Sequence, residues 1–239
     1  MIRMSFSILK LLVAGWSLAA LCAQAGDTTW IHFENETVGA EPKIFKAVVG
    51  NWSIGLEGKN RLLVVDGTRW AEGQPAAGLA DKAKTLYGAR YAEFLDNINA
   101  YAYFPFAVLE SPTDFRDGAI SFRFKGLTGR VDQAAGILFN LKENGDYFTL
   151  RANCLEDNLV LWKVEKGQRS KVKWIRKVRT PSEIWHDLKM EIDGTTVKGY
   201  LDGVLYLEHK LSEPVTGRVG LWTKADSHMW IDDFRVVRK

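Results

Sequence analysis

The densest groups of ionisable side chains fall in three short stretches: Arg130-Val131-Asp132-Gln133, Asn153 to Asn158 with Glu156 and Asp157, and Lys224-Ala225-Asp226-Ser227. Each mixes carboxylates, amides or cations, the side chains that acid/base or nucleophilic work at a carboxylate pair requires. If the three stretches converge at one end of a fold, Glu156 with Asp226, or with Asp132, makes such a pair. Polar turn loops with no catalytic use account for the same residues. Glu191 and Asp193, in "EIDGTTVKGYLDG", are a further pair two residues apart, hence on one face of a strand. The histidines at 32, 186, 209 and 228 never reach metal or nucleophile spacing. No Gly-x-Ser-x-Gly elbow, phosphate loop or dinucleotide fingerprint occurs. Cys154 has no histidine near it in sequence and reads as a structural thiol.

The elements that must position these groups are strands. "RLLVV", "AISFRFK", "GILFNL", "YFTLRAN", "NLVLWKV", "LKMEI", "TVKGYL", "VLYLEH", "RVGLW" and "WIDDFRV" are short and rich in β-branched and aromatic residues. Asn144-Gly145, Asp193-Gly194 and Asp202-Gly203 supply the positive φ of tight hairpins. Such spacing predicts an antiparallel sandwich or barrel. The exception is Pro75 to Ile98, alanine-rich, with Leu79, Ala83, Leu86, Phe94 and Ile98 near helical spacing. It predicts one or two helices on an edge or rim. Leu188, Met190 and Ile192 share a core face, so Glu191 points away from it. Asp193-Gly194 then turns the chain and Asp202-Gly203 turns it again, so "LKMEI", "TVKGYL" and "VLYLEH" read as a three-stranded meander.

The first 25 residues have a basic start at Arg3 and Lys10, an apolar run from Leu11 to Leu21 and the small-x-small ending Ala23-Gln24-Ala25. This pattern predicts an export signal, leaving one β domain over 26–239. Leu21 precedes Cys22 where lipidation needs a small residue, which favours cleavage after Ala25. The run is too short for a permanent membrane anchor. The formal charge of +3 falls to +1 once the two signal cations go. That balance gives no footprint for nucleic acid. Cys154 alone remains, so stability rests on core burial in a bacterial periplasm or outside the cell.

"WHDLKMEIDGTTVKGYLDGVLY" followed by "GRVGLWTKADSHMWIDDFRV" resembles the C-terminal half of concanavalin A-like lectin and glucanase sandwiches. More narrowly, with "GRVDQAAGILF", "DYFTLRANCLEDNLVLWKV" and "WIHFENETVGAEP", it is similar to the bacterial secreted 3-keto-disaccharide hydrolase domains and to laminin-G-like domains. The laminarinase strand Glu-x-Asp-x-x-Glu is begun by Glu191 and Asp193 but lacks its second glutamate. The resemblance implies an all-β jelly roll of a convex and a concave sheet, with a glycan or sugar-derived ligand on the concave face. Strand alternation offers Arg123, Asn140, Arg151, Asn153, Asn158 and Trp162 for that face, with Trp222 and Lys224 beside them. Trp70, Trp162, Trp174 and Trp222 are expected to be exposed, and Trp30, Trp52, Trp185 and Trp230 to be core. Related sandwiches tie the first strand to the last with a structural Ca2+, for which Asp232 and Asp233, with Glu34 or Glu36, offer oxygens. Three functions stay open: a non-catalytic glycan-binding module, a hydrolase or lyase acting on 3-keto-glycosides, and a structural envelope protein.

Overall fold

The computed structural model describes residues 27–68, 79–96 and 103–239. The stretch 1–25 that the sequence reads as an export signal, and Trp70, Pro75 and Ile98, lie outside them. The described residues form two antiparallel sheets in face-to-face packing. From the N-terminus the strands are β1 (Asp27–Ile31), β2 (Phe45–Val49), β3 (Trp52–Glu57), β4 (Asn60–Asp66), β5 (Phe106–Leu109), β6 (Gly118–Thr128), β7 (Ala134–Leu141) and β8 (Tyr147–Asn153). They continue with β9 (Asn158–Glu165), β10 (Gln168–Arg176), β11 (His186–Asp193), β12 (Thr196–Leu201), β13 (Val204–Lys210), β14 (Arg218–Trp222) and β15 (His228–Arg238). One sheet runs β13-β12-β11-β6-β15-β4-β3, with β1 also paired to β15 to make eight strands. The other runs β10-β9-β8-β7-β14-β5-β2.

Alternation builds the core. Ile120, Phe122 and Phe124 of β6, Leu188, Met190 and Ile192 of β11, and Ile231, Phe234 and Val236 of β15 face the opposite sheet. There they meet Ile137 and Phe139 of β7, Leu150 and Ala152 of β8, and Leu159 and Leu161 of β9. Burying each such side chain stabilises by about 1.5–3 kcal/mol before chain entropy is counted. Gly199 of β12 is glycine because the sheets approach closely here. A Cβ at that position would lie 2.9 Å from Cδ1 of the buried Leu150.

The hairpins follow their turn residues. Leu201 pairs with Val204, and Asp202 and Gly203 between them have φ of 49° and 79°. Positive φ at both positions is the geometry of a tight two-residue hairpin. The preceding loop is Gly194-Thr195, since Asp193 itself pairs with Thr196. The meander is thus as the sequence predicts.

The helical stretch departs from expectation in its seat. Helices α1 (Leu79–Tyr87) and α2 (Tyr91–Asp96) are joined by a 3-10 turn. They cover the outer face of the seven-stranded sheet and not an edge. Leu79, Ala83, Leu86, Tyr87 and Phe94 form a second apolar layer with Val49, Phe106, Val108, Leu138, Leu141 and Trp222. Leu141 joins that layer because Asn140, at φ 54°, makes a bulge opposite β14. The extra residue turns Leu141 to the outer face, against the inward placement that plain alternation predicts.

Candidate functional site

The outer face of the seven-stranded sheet is shared between the helices and a polar cluster. Across it, Trp222, Gly136, Arg151, Val160 and Trp174 stand in one cross-strand row, from β14 through β7, β8 and β9 to β10. Arg151 is 1% exposed. Its Nη1 donates to Asn158 Oδ1 at 2.7 Å and to Glu156 Oε2 at 3.1 Å. Asn158 Nδ2 donates to the same Glu156 oxygen at 2.8 Å. Glu156 is thereby held in place by two side chains from the strands flanking its loop. Burial pushes its pKa up, but the hydrogen bonds from Asn158 and Arg151 outweigh this and hold it below the usual glutamate range.

Behind this group Asp132 is fully buried and bonded to Lys224 Nζ and Asn153 Nδ2. Burial raises its pKa against the pull of Lys224. Asp226 instead accepts the backbone N–H groups of Arg130 at 2.7 Å, Val131 at 3.0 Å and Asp132 at 2.9 Å. The three charged stretches do converge, as the sequence suggests. They are joined mainly by structural bonds: Asp226 shapes the 130–132 loop, and Asp132 is sealed beneath Lys224.

A cleft of about 590 Å3 opens beside Glu156. The loop from Glu156 to Asn158 makes one wall; Trp174, Arg176, Lys177 and Arg179 make the other. Thr180 N–H donates to Asp157 Oδ1 at 2.9 Å and so joins the two walls. Trp174 meets Trp162 edge to face at 5.6 Å between ring centroids, and the guanidinium of Arg169 lies 3.9 Å over the Trp162 ring.

Several expectations need correction. Arg123 lies on β6 of the opposite sheet, pairs with Asp233 at 3.2 Å and sits 4.9 Å over Trp185. It therefore cannot share a face with Arg151. Asn140 accepts Thr216 N–H at the bulge. Trp222 is fully buried, stacked on Phe104, with its indole N–H bonded to the Tyr147 hydroxyl at 3.0 Å. Trp162 is buried too, whereas Trp30 is 54% exposed. The second apolar layer buries Trp222, and Arg169 with Trp174 covers Trp162, although alternation alone turns both outward. Arg176, Lys177 and Arg179 were not singled out, although residues 168–180 carry six cations and no carboxylate.

The calcium expectation does not fit either. Asp232 Oδ2 accepts Asn60 Nδ2 at 2.8 Å, its Oδ1 accepts Asp233 N–H, and Glu34 Oε1 accepts Arg61 N–H. Nitrogen donors occupy the carboxylates that six to eight oxygen ligands would have to include. Among the described residues no three metal-binding side chains gather. Glu191 is on the outer face of the eight-stranded sheet, bonded to the Tyr200 hydroxyl at 2.7 Å and to Lys189 at 2.6 Å. It is remote from the cleft by a whole sandwich thickness. His186, bonded to Asp202 and to the Pro181 carbonyl, is structural as expected.

Comparison by sequence finds no matching family model and no matching curated protein. Comparison of structures does find matches. The carbohydrate binding module CBM66 from Bacillus subtilis is 15% identical, with a TM-score of 0.57 over 81% of this chain and 95% of that one. The Bacillus licheniformis beta-glucanase is 10% identical, with 0.52 over 90% of this chain and all of that one. A prokaryotic beta-1,3-1,4-glucanase (lichenase) derived from a mouse hindgut metagenome is 10% identical, with 0.51 over 88% and 98%. The chain has a concanavalin A-like jelly-roll fold. At such identities the likeness extends to the fold alone. No helix among the described residues is long and apolar enough to cross a membrane.

Proposed function

We propose that the chain is an exported glycan-binding sandwich protein that takes its ligand at the Glu156–Trp174 cleft, without a laminarinase-type carboxylate strand. One observation carries this reading: an indole wall and a pre-positioned Glu156–Asn158 pair line the same cleft. A pyranose needs that combination, an aromatic surface for its C–H face and fixed polar groups for its hydroxyls. Structural neighbours named as a carbohydrate binding module and as glucanases support it, as does the export pattern of the first 25 residues. The test is a glycan array with the purified protein and with Trp174→Ala. Binding that the variant loses is expected. No binding to any glycan would leave a structural envelope protein.

A hydrolase or lyase acting on 3-keto-glycosides, as in the narrower family resemblance, is the second reading. Favouring it, two carboxylates near Arg151 differ in acidity, Asp132 raised and Glu156 lowered, a pattern that separates acid from base in enzymes. Asp132 is sealed by Lys224, so Glu156 is the carboxylate within a substrate's reach. Turnover of 3-keto-glycosides that Glu156→Gln abolishes while binding persists would establish the enzyme.

A further inference from the structure

Strand β10 and the turn after it are strongly basic, and most of that charge is unspent. Lys173 donates to the Glu208 carbonyl at 2.7 Å. Among the described residues no ion pair holds Arg169, Lys171, Arg176, Lys177 or Arg179. Lysines on an edge strand deter strand addition by other chains, but that does not explain a guanidinium laid over a buried indole. The same patch is short of acceptors. The Nε of Arg151, Nη1 of Arg169, and the indole N–H groups of Trp162 and Trp174 are buried with no hydrogen-bond partner. Thr149 Oγ1, directly across from Trp162, is also unpaired. Buried donors are nearly always satisfied, so four orphans around two facing indoles mark a place that lacks an electron-rich partner.

We propose that the cleft selects acidic glycans, the uronate carboxylate resting on Arg176, Lys177 and Arg179 while ring hydroxyls donate to Glu156. This rests on the glycan-binding reading and narrows it to a ligand class. Glu156 decides against a polyphosphate ligand. Its Oε2 is taken by Arg151 and Asn158, its Oε1 has no protein partner, and its pKa keeps it ionised. A phosphodiester at every unit would face that charge and the neighbouring Asp157. A uronate unit offers both hydroxyl donors and one carboxylate, which matches a cleft of three cations and one free carboxylate oxygen.

The experiment titrates the full protein with polygalacturonate, its methyl ester and a neutral β-glucan, at low and at raised salt. It is repeated on Arg176→Gln/Lys177→Gln/Arg179→Gln. These three side chains are exposed and make no ion pair among the described residues; Arg176 only lies 5.8 Å over the Trp174 ring. The variant should therefore melt close to the wild type, which thermal unfolding checks. Polygalacturonate should bind at least about tenfold more tightly than its ester, and the variant should lose that margin, as expected for lost charge-assisted hydrogen bonds. Equal binding of the ester or of neutral glucan, unchanged in the variant, would overturn the acidic selectivity and leave the glycan-binding function standing. Binding of none of the three would overturn the acidic selectivity, and the glycan array then decides whether the glycan-binding function stands. Single-stranded RNA bound in preference to polygalacturonate would also overturn the proposal.

Discussion

Arg151 shows how a single side chain serves a site it does not enter. Its Nη1 alone donates to both Glu156 and Asn158 from beneath the cleft. Lysine keeps the charge, but its side chain is one atom shorter and ends before the position that Nη1 holds. Arg151→Lys should therefore cost about 1–3 kcal/mol of stability and weaken ligand binding together, measured by denaturant unfolding and titration. Asp226 holds a loop in the same indirect way. Burial raises its pKa, but the backbone donors of Val131, Arg130 and Asp132 outweigh that and bring it below the usual aspartate range. Between the folded and unfolded values the unfolded state binds more protons, so stability is present above the unfolded pKa and is lost as pH falls through the folded one. Asp226→Ala should destabilise by about 1–2 kcal/mol at neutral pH, the lower part of the charged hydrogen-bond range because solvent reaches this loop. It should also flatten the acid limb of a melting-temperature profile. Cys154 is silent: burial pushes its thiol up to about 12. Iodoacetamide at mildly alkaline pH should leave it unmodified until denaturant opens the fold. Chelation should likewise leave the melting temperature unchanged, since Asp232 already has Asn60.

At the scale of elements, strand identity and facing were legible wherever the backbone stays regular. The alternation of Leu150 with Arg151, and of Leu159 with Asn158 and Val160, matches the structure. It failed at Leu141 because one residue in positive φ reverses every side chain after it. The helices were legible from the spacing of Leu79, Ala83 and Leu86. Their seat was not, since which sheet face an insertion covers depends on contacts far away in sequence. That hidden layer is also why Trp222 was expected to be exposed, the cover of Arg169 is why Trp162 was, and sheet membership is why Arg123 was grouped with Arg151. The basic run at 168–180 was open to view but evenly offset by acids elsewhere in the chain. Gly199 offers a test of the sheet-to-sheet approach. Gly199→Ala should cost about 1–3 kcal/mol by driving a methyl into Leu150, read from the denaturant midpoint, and a Leu150→Val background should recover part of it.

Taken whole, the molecule places β15 at the centre of its eight-stranded sheet. It bonds to β6 on one side and to β1 and β4 on the other. It carries Met229, Ile231, Phe234 and Val236 into the core. A chain cut before His228 loses a middle strand, so it should show no cooperative thermal transition where the full chain has one. The position also sets a schedule. Pairings such as β1 with β15 and β4 with β15 join nearly opposite ends of the described chain, and distant partners make folding slow. As the chain emerges N-terminus first from a ribosome, β6 and β4 wait with unfilled edges until β15 arrives. The sandwich therefore closes late and in one step, only after nearly all of its chain is free to pair.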